Sequence, residues 1–282
     1  RDTDRSRGLG DVYKRQASMY ARFGSKVTIL QNGSVFLPKE DRDMAEAVEN
    51  VLKSYGVSVI TGAGLKEIKE GTAVYTKNGE EDTLDGDAIL LATGRGPNTE
   101  GLHAERAGVE LTKRGAVVTD KHLRTTAENI WAAGDVCGNL QFTYISLDDS
   151  RIILSDMQGD GSRTTENRGA FAYSVFMEPS FSRAGLSEKE AADKGLNYRV
   201  VRMNTDMIPK AKVLRKTTGM LKAVIDKDSG KILGAALFCP ESYEIINMVK
   251  LAMDHDLDYT VLRDFIYTHP TMSEGLNDLF AL

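Results

Sequence analysis

His269 and Glu274 stand five residues apart in the segment Tyr267-Thr268-His269-Pro270-Thr271-Met272-Ser273-Glu274, close to the end of a 282-residue chain. An imidazole oriented by a carboxylate moves protons near neutral pH, and Pro270 restricts the backbone just after the His. A plainer role is also open. Thr271-x-x-Glu274 has capping-box spacing, in which Glu274 would only satisfy backbone N–H groups at a helix start. Asp135 is the second acid placed for chemistry. A short strand, Asn129 to Ala133, delivers it at a corner where Gly134 permits close backbone approach. Its carboxylate can accept hydrogen bonds from ligand hydroxyls, or it can cap the following turn. Thr143 lies eight residues beyond Asp135 and opens the run Tyr144 to Leu154. A helix there aims its first N–H groups at whatever Asp135 holds and favours negative charge at that place. Thr143 equally suits an ordinary N-cap. The two cysteines, Cys137 and Cys239, form no CxxC pair and read as packed residues. His103, His122 and His255 show no ligand spacing, so no metal site is expected.

The elements that must position these groups follow from apolar periodicity and turn residues. Ala17 to Phe23 reads as a helix end stopped by Gly24. Lys26 to Leu30 is a β-branched strand, Asp41 to Tyr55 a helix closed by Gly56, and Val57 to Ile60 a strand. Ala73 to Thr76 and Glu81 to Leu84 form a hairpin around Asn78-Gly79. Ala88 to Ala92 is wholly apolar, as expected of a buried parallel strand. Tyr173 to Met177, Arg199 to Met203, Gly219 to Asp226 and Lys231 to Phe238 read as one antiparallel sheet. Glu241 to His255 and the segment from Ser273 read as helices packed on it. The fold class is therefore α/β, Rossmann-like nucleotide-binding portions followed by an α+β domain with an antiparallel sheet.

Hydrophobic residues make up 41% and charged residues 27%, the proportions of a globular protein. A net charge of −5 without a dense basic run argues against a nucleic-acid partner. No apolar stretch has the length of a membrane span, and a cytoplasmic protein acting on a small molecule is expected. Residues 1–16 stand apart. Arg1 to Arg7 lacks periodicity, and Asp11-Val12-Tyr13-Lys14-Arg15-Gln16 looks like a translated sequencing adapter, so a non-native or disordered arm is expected ahead of Ala17.

Several segments, in one order, resemble the pyridine nucleotide-disulfide oxidoreductases. Ala92-Thr93-Gly94-Arg95-Gly96-Pro97-Asn98 resembles the family's passage from nicotinamide to flavin domain. Thr125 through Ile130-Trp131-Ala132-Ala133-Gly134-Asp135 resembles its second flavin motif, and the His269 segment its C-terminal signature. Gly185-Leu186-Ser187-Glu188, Gly219 to Asp226 and Lys231 to Ala235 resemble parts of its dimerisation domain. Phe142 to Asp149 and Met272 to Phe280 are most similar to the bacterial hypothiocyanous acid reductases, the reactive-chlorine-resistance flavoproteins. Mercuric reductases and dihydrolipoamide dehydrogenases share the broader pattern.

The resemblance implies FAD and NAD(P)H as cofactors. Residues 17–92 would be a partial NAD(P)-binding domain, 93–165 the C-terminal segment of a flavin domain, and 166–282 a dimerisation domain forming a homodimer. Gly134 and Asp135 would hold the ribitol of FAD, Thr143 would contact the flavin ring through its backbone, and Gly94 would lie near the nicotinamide nucleotide. Gln31 ends the first strand of the nicotinamide part, where an acid would bind ribose hydroxyls. With Gln31 and Asn32 there, the choice between NADH and NADPH is not specified. His269, oriented by Glu274, would serve the redox disulfide of the other subunit, so that electrons pass from NAD(P)H through FAD to the disulfide and on to a sulfur-containing or oxidant substrate. No G-x-G-x-x-G occurs in the chain. That turn and the redox Cys pair belong to the N-terminal part of such proteins, so the chain alone is expected to be inactive. Two other functions share the scaffold: a redox-inactive dimerisation or binding module, and an NAD(P)H oxidase or metal-ion reductase.

Overall fold

The computed structural model describes residues 9–282, with side chains from residue 15 onward. The chain divides into two compact units, one built on Ala92–Gly169 and the other on Tyr13–Leu91 with Ala170–Leu282. The segments expected to be a partial nicotinamide domain and a dimerisation domain thus share one unit.

Most of α1 (Leu9–Arg22), from Tyr13 onward, falls in the larger unit. Of the arm expected over residues 1–16, residues 1–8 lie outside the described residues. Leu9 to Gln16, however, are helical and run without a break into Ala17. No proline interrupts that stretch, so a helix can extend back through it. β1 (Thr28–Gln31), α2 (Arg42–Ser54) and β2 (Ser58–Thr61) follow, with β1 and β2 paired in parallel. β3 (Gly64–Lys69), β4 (Thr72–Lys77) and β5 (Glu80–Asp85) form an antiparallel meander turned at Asn78-Gly79. Ala88 to Ala92 is not a strand, and Leu90 and Leu91 are exposed. A wholly apolar run is a buried strand only where neighbours pair with it on both edges. No described strand pairs with this one.

In the smaller unit the described helical elements are three 3₁₀ turns, Ala104–Ala107, Gly134–Cys137 and Thr165–Asn167, and α3 (Thr143–Gln158). The strand expected over Asn129 to Ala133 reduces to one bridge, Arg124 with Trp131.

The remainder of the larger unit is a sheet of β6 (Ala172–Val175), β7 (Phe181–Gly185), β8 (Tyr198–Asn204), β9 (Met220–Asp226) and β10 (Ile232–Phe238). All its pairings are antiparallel, in the order β6-β7-β10-β9-β8. α4 (Glu188–Asp193) and α5 (Pro209–Leu214) connect strands; α6 (Ser242–Asp254), α7 (Thr260–Arg263) and α8 (Gly275–Ala281) follow the last one.

Side chains alternate across each strand. Leu221, Ala223 and Ile225 of β9, with Ala235 and Leu237 of β10, meet Ile245, Val249, Leu276 and Phe280 of α6 and α8. The opposite face presents Phe181 and Phe238 to Met44, Val48 and Leu52 of α2. The sheet is therefore covered on both faces, one of them by a helix more than a hundred residues distant in sequence.

α2 is well anchored, whereas the β1–β2 ladder is two strands of intermediate exposure. A parallel pair that short gains little from its own hydrogen bonds. Hydrogen exchange is expected to be faster at Thr28–Gln31 and Ser58–Thr61 than across β9 and β10, as read by mass spectrometry. Equal protection of the two sheets would contradict this.

Candidate functional site

Tyr267 to Gly275 forms a loop between α7 and α8 that is tied down at both ends. The Asn277 side-chain amide donates to the carbonyls of Leu262, Arg263 and Phe265. The Tyr267 hydroxyl donates to Leu262 O at 3.2 Å, and burial pushes that phenol up to about 12, so it stays neutral. Gly275 admits close packing: a Cβ there would lie 2.7 Å from Ile208 Cδ1. Within this loop His269 Nδ1 and Glu274 Oε2 are 2.7 Å apart.

The two partners differ in exposure. The His269 side chain is 69% exposed and that of Glu274 only 14%. The carboxylate is thus fixed inside while the ring projects outward, and with Nδ1 engaged, Nε2 is the nitrogen left to exchange a proton with a solute. The capping-box alternative is not formed. Glu274 makes no side-chain cap to α8, and the Thr271 hydroxyl donates to Thr268 O at 2.8 Å. Glu274 Oε1 is buried without a hydrogen-bond partner, so the imidazole is the carboxylate's one hydrogen-bonding contact among the described residues.

The smaller unit sets the Gly134-Asp135 corner against α3, whose Ser146 and Asp149 meet Gly134. Gly134 sits at φ +76°, a left-handed conformation that suits glycine, and a Cβ there would meet Ser146 Oγ at 2.7 Å. Its N–H donates to Asp149 Oδ2 at 2.7 Å in a buried position. Asp135 follows with a half-exposed carboxylate whose ion-pair neighbour, Arg95 Nη1, is 4.0 Å away and itself half exposed. Such a pair contributes little. Thr143 is the first residue of α3, and Phe142, not Thr143, occupies the N-cap. The first N–H groups of a helix have no acceptor within it. A half-exposed carboxylate on a corner packed against α3 is open to the hydroxyls of a polyol ligand. Gly94 lies in the irregular segment that begins this unit.

Gln31 ends β1, and its amide is turned onto its own loop, with Nε2 donating to Val35 O at 2.5 Å and Gly33 O at 3.3 Å. In this arrangement it holds the loop.

Both thiols are buried. Burial, with Asp149 nearby, raises Cys137 to about 11, and burial raises Cys239 to about 12. Neither is a thiolate at neutral pH, so neither is an exchange nucleophile. Among the described residues no group of three or more His, Cys, Asp or Glu is placed to hold a metal ion. No described helix is long and apolar enough to cross a membrane.

The sequence reading passed over two buried acids. Asp148 and Asp149 lie on α3, where Arg168 pairs with both and Arg163 with Asp148. A polar Asp-Asp pair resembles solvated surface, and only the arginines more than a turn beyond the helix hint otherwise.

Residues 15–150 match the family described as pyridine nucleotide-disulphide oxidoreductase, and residues 171–280 match the dimerisation domain of that family. The chain is 50% identical over 275 residues to the probable pyridine nucleotide-disulfide oxidoreductase RclA of Escherichia coli (strain K12), covering 98% of this chain and 62% of that protein. It is 32% identical over 274 residues to a mercuric reductase of Staphylococcus aureus, covering 95% of this chain and 50% of the relative. Among solved structures, the HOCl-induced flavoprotein disulfide reductase RclA from Escherichia coli aligns with a TM-score of 0.91 at 48% identity, over 98% of this chain and 63% of that one. The chain thus spans less than two-thirds of the length of these relatives.

Proposed function

This chain belongs to the pyridine nucleotide-disulphide oxidoreductase family, and we propose that it provides the proton-transfer end of an enzyme passing electrons from NAD(P)H to a redox disulfide and then to a sulfur-containing or oxidant substrate. Enzymes of this family work with FAD and NAD(P)H. When bound, FAD supplies the two-electron relay between nicotinamide and disulfide.

The observation that carries the reading is the His269–Glu274 contact of 2.7 Å, with the acid buried and the ring exposed. A hydride brings two electrons but one proton, whereas a disulfide reduced to two thiols takes up two protons. The second proton needs a carrier in contact with solvent. Glu274 accepts from Nδ1–H and fixes the tautomer, and Nε2 gives or takes the proton at the exchanging sulfur. Both thiols of this chain are buried and protonated, so the disulfide served by His269 lies outside the described residues.

Asp135 is assigned to the polyol of the flavin and the first turn of α3 at Thr143 to its ring edge. Support comes from the half-exposed carboxylate of Asp135 and from α3 starting at Thr143 without a side-chain cap. Gly94 and Gln31 are assigned to the nicotinamide nucleotide; of the two, Gln31 is the weaker assignment because its amide is engaged in its own loop. In a full-length version that also carries the Gly-rich flavin turn, Asp135→Ala is expected to lower the flavin content, measured by absorbance against protein concentration. Unchanged content would leave Asp135 as a turn residue only.

Residues 166–282 are assigned to a homodimer, which the dimerisation-domain match supports. Ile266 is 93% exposed and Phe265 56%, close before His269, the kind of apolar surface an interface covers. Sedimentation at micromolar concentration is expected to give a dimer. A clean monomer would remove a role for His269 in the active site of a partner subunit.

A further inference from the structure

Asp135 is assigned to a ligand, yet nothing on its own side chain fixes where it points. The carboxylate is half exposed and its ion-pair neighbour is 4.0 Å away. Its direction is inherited from the backbone before it, and that residue is Gly134, of the type with the widest conformational freedom. A glycine corner keeps one geometry only if something outside it imposes one.

Two side chains of α3 press on that corner, and they are a single helical turn apart. Ser146 lies where a Cβ on Gly134 would come within 2.7 Å of its Oγ. Asp149, three residues further, accepts the Gly134 N–H on Oδ2 at 2.7 Å. Residues at this spacing share a helix face. Asp149 is 3% exposed, and its other oxygen accepts from Arg168 Nη2. Arg168 Nε in turn faces Asp148 Oδ2 at 3.1 Å. The carboxylate is thereby locked between a guanidinium on one side and a backbone N–H on the other.

We propose that Asp149 is a positioning residue: by accepting the Gly134 N–H while held by Arg168, it sets the peptide plane of the Gly134-Asp135 corner and so aims the Asp135 carboxylate at the ligand. This rests on the reading of Asp135 as a flavin-holding residue. The chemistry requires a carboxylate. Both of its partners are donors, so two acceptor oxygens are needed. An Asn of the same shape accepts with one atom and turns an N–H₂ donor toward the other partner.

The test uses the whole chain and the exchange of one amide. In the unsubstituted protein Gly134 N–H should exchange slowly with solvent although it opens a 3₁₀ turn, where no carbonyl within the turn can accept it. Rapid exchange there would overturn the proposal without any variant. Asp149→Asn should speed that exchange by at least about tenfold, the size of one lost hydrogen bond. The single tryptophan, Trp131, reports whether the unit remains folded, since its ring N–H donates to Asp156 Oδ2 at 2.8 Å. Asp148→Asn should leave Gly134 slow, because Arg168 still holds Asp149. Equal acceleration in both variants would reduce Asp149 to one member of a general ion-pair network and overturn the proposal.

Flavin content supplies the second readout. Asp149→Asn should lose flavin as Asp135→Ala does, and Asp148→Asn should not. A freed Gly134 amide with unchanged flavin content would overturn the positioning role while leaving the flavin site itself standing. Flavin content is read in a longer protein that also carries the Gly-rich flavin turn, and if that unsubstituted protein takes up no flavin, the flavin reading of Asp135 falls. The exchange of Gly134 then decides whether Asp149 sets the corner.

Discussion

In an intact protein that also carries the redox disulfide, His269→Ala is expected to lower turnover on the order of 10²–10⁴-fold, the usual cost of losing a general acid-base group. The ring is exposed and packs little, so the loss should be chemical, with the melting temperature nearly unchanged. Glu274→Gln should cost less. An amide keeps the shape and an acceptor for Nδ1–H but loses the charge that favours an imidazolium as it forms. Steady-state assays beside thermal melts separate the two roles of Glu274. Reduced turnover at unchanged melting supports orientation of His269. Reduced melting at unchanged turnover would make Glu274 a structural residue only.

The second large effect is on stability, at Lys222. This side chain is 2% exposed in the middle of β9, on the face turned toward α2, and it contacts Asp41, Asp43 and Glu188 at 2.7–3.0 Å. The neighbouring Arg183 is similarly buried and pairs with Glu40 and Glu190. Lys222→Ala leaves three carboxylates without their shared cation. Removing one partner of a buried ion pair costs about 3–5 kcal/mol, which urea unfolding would register as a lower midpoint. A loss below about 1 kcal/mol, the value of an exposed pair, would show that water reaches the cluster.

The same cluster sets a pH window. Desolvation opposes the charged form of Lys222, but the hydrogen bonds it donates to Glu188, Asp41 and Asp43 outweigh it and raise the ammonium above its ordinary 10.5. Its contribution is therefore full below that ordinary value and is lost as pH rises through the raised one. Desolvation likewise opposes ionisation of Asp41 and Asp43, and their hydrogen bonds to Lys222 win, holding both below 3.8. Their contribution is present above 3.8 and disappears as pH falls through the lowered values. Lys222→Ala should flatten the pH dependence of stability at both edges.

How much of this was legible in the chain depended on the range of the interaction. The His269–Glu274 pair and the Gly134-Asp135 corner are made by residues close in sequence, and their types and spacing were enough to single them out. α2, α6 and the strands β8 to β10 were readable from their apolar patterns and turn residues, whereas α3 was legible only as a helix that Thr143 could open. Ala88 to Ala92 was misjudged because an apolar run says nothing about whether a neighbouring strand is there to pair with it. β7 escaped notice because Ser180, Ser182 and Arg183 look like surface, yet all three are buried. Ser182 and Ser180 hydrogen-bond to Ser242, and Arg183 meets Glu40, both far away in sequence. Asp149 was invisible for the same reason. Its partners, Gly134 and Arg168, lie 15 and 19 residues away, and only folding brings them to one carboxylate.

Stopped-flow absorbance on His269→Ala in an intact protein that also carries the redox disulfide, with the two half-reactions followed separately, tests the central claim most directly. Reduction of the flavin by NAD(P)H needs no imidazole and should stay within about twofold of the unsubstituted protein, whereas reoxidation by substrate through the dithiol should slow on the order of 10²-fold or more. Equal slowing of both half-reactions, or of neither, would contradict the role assigned to His269.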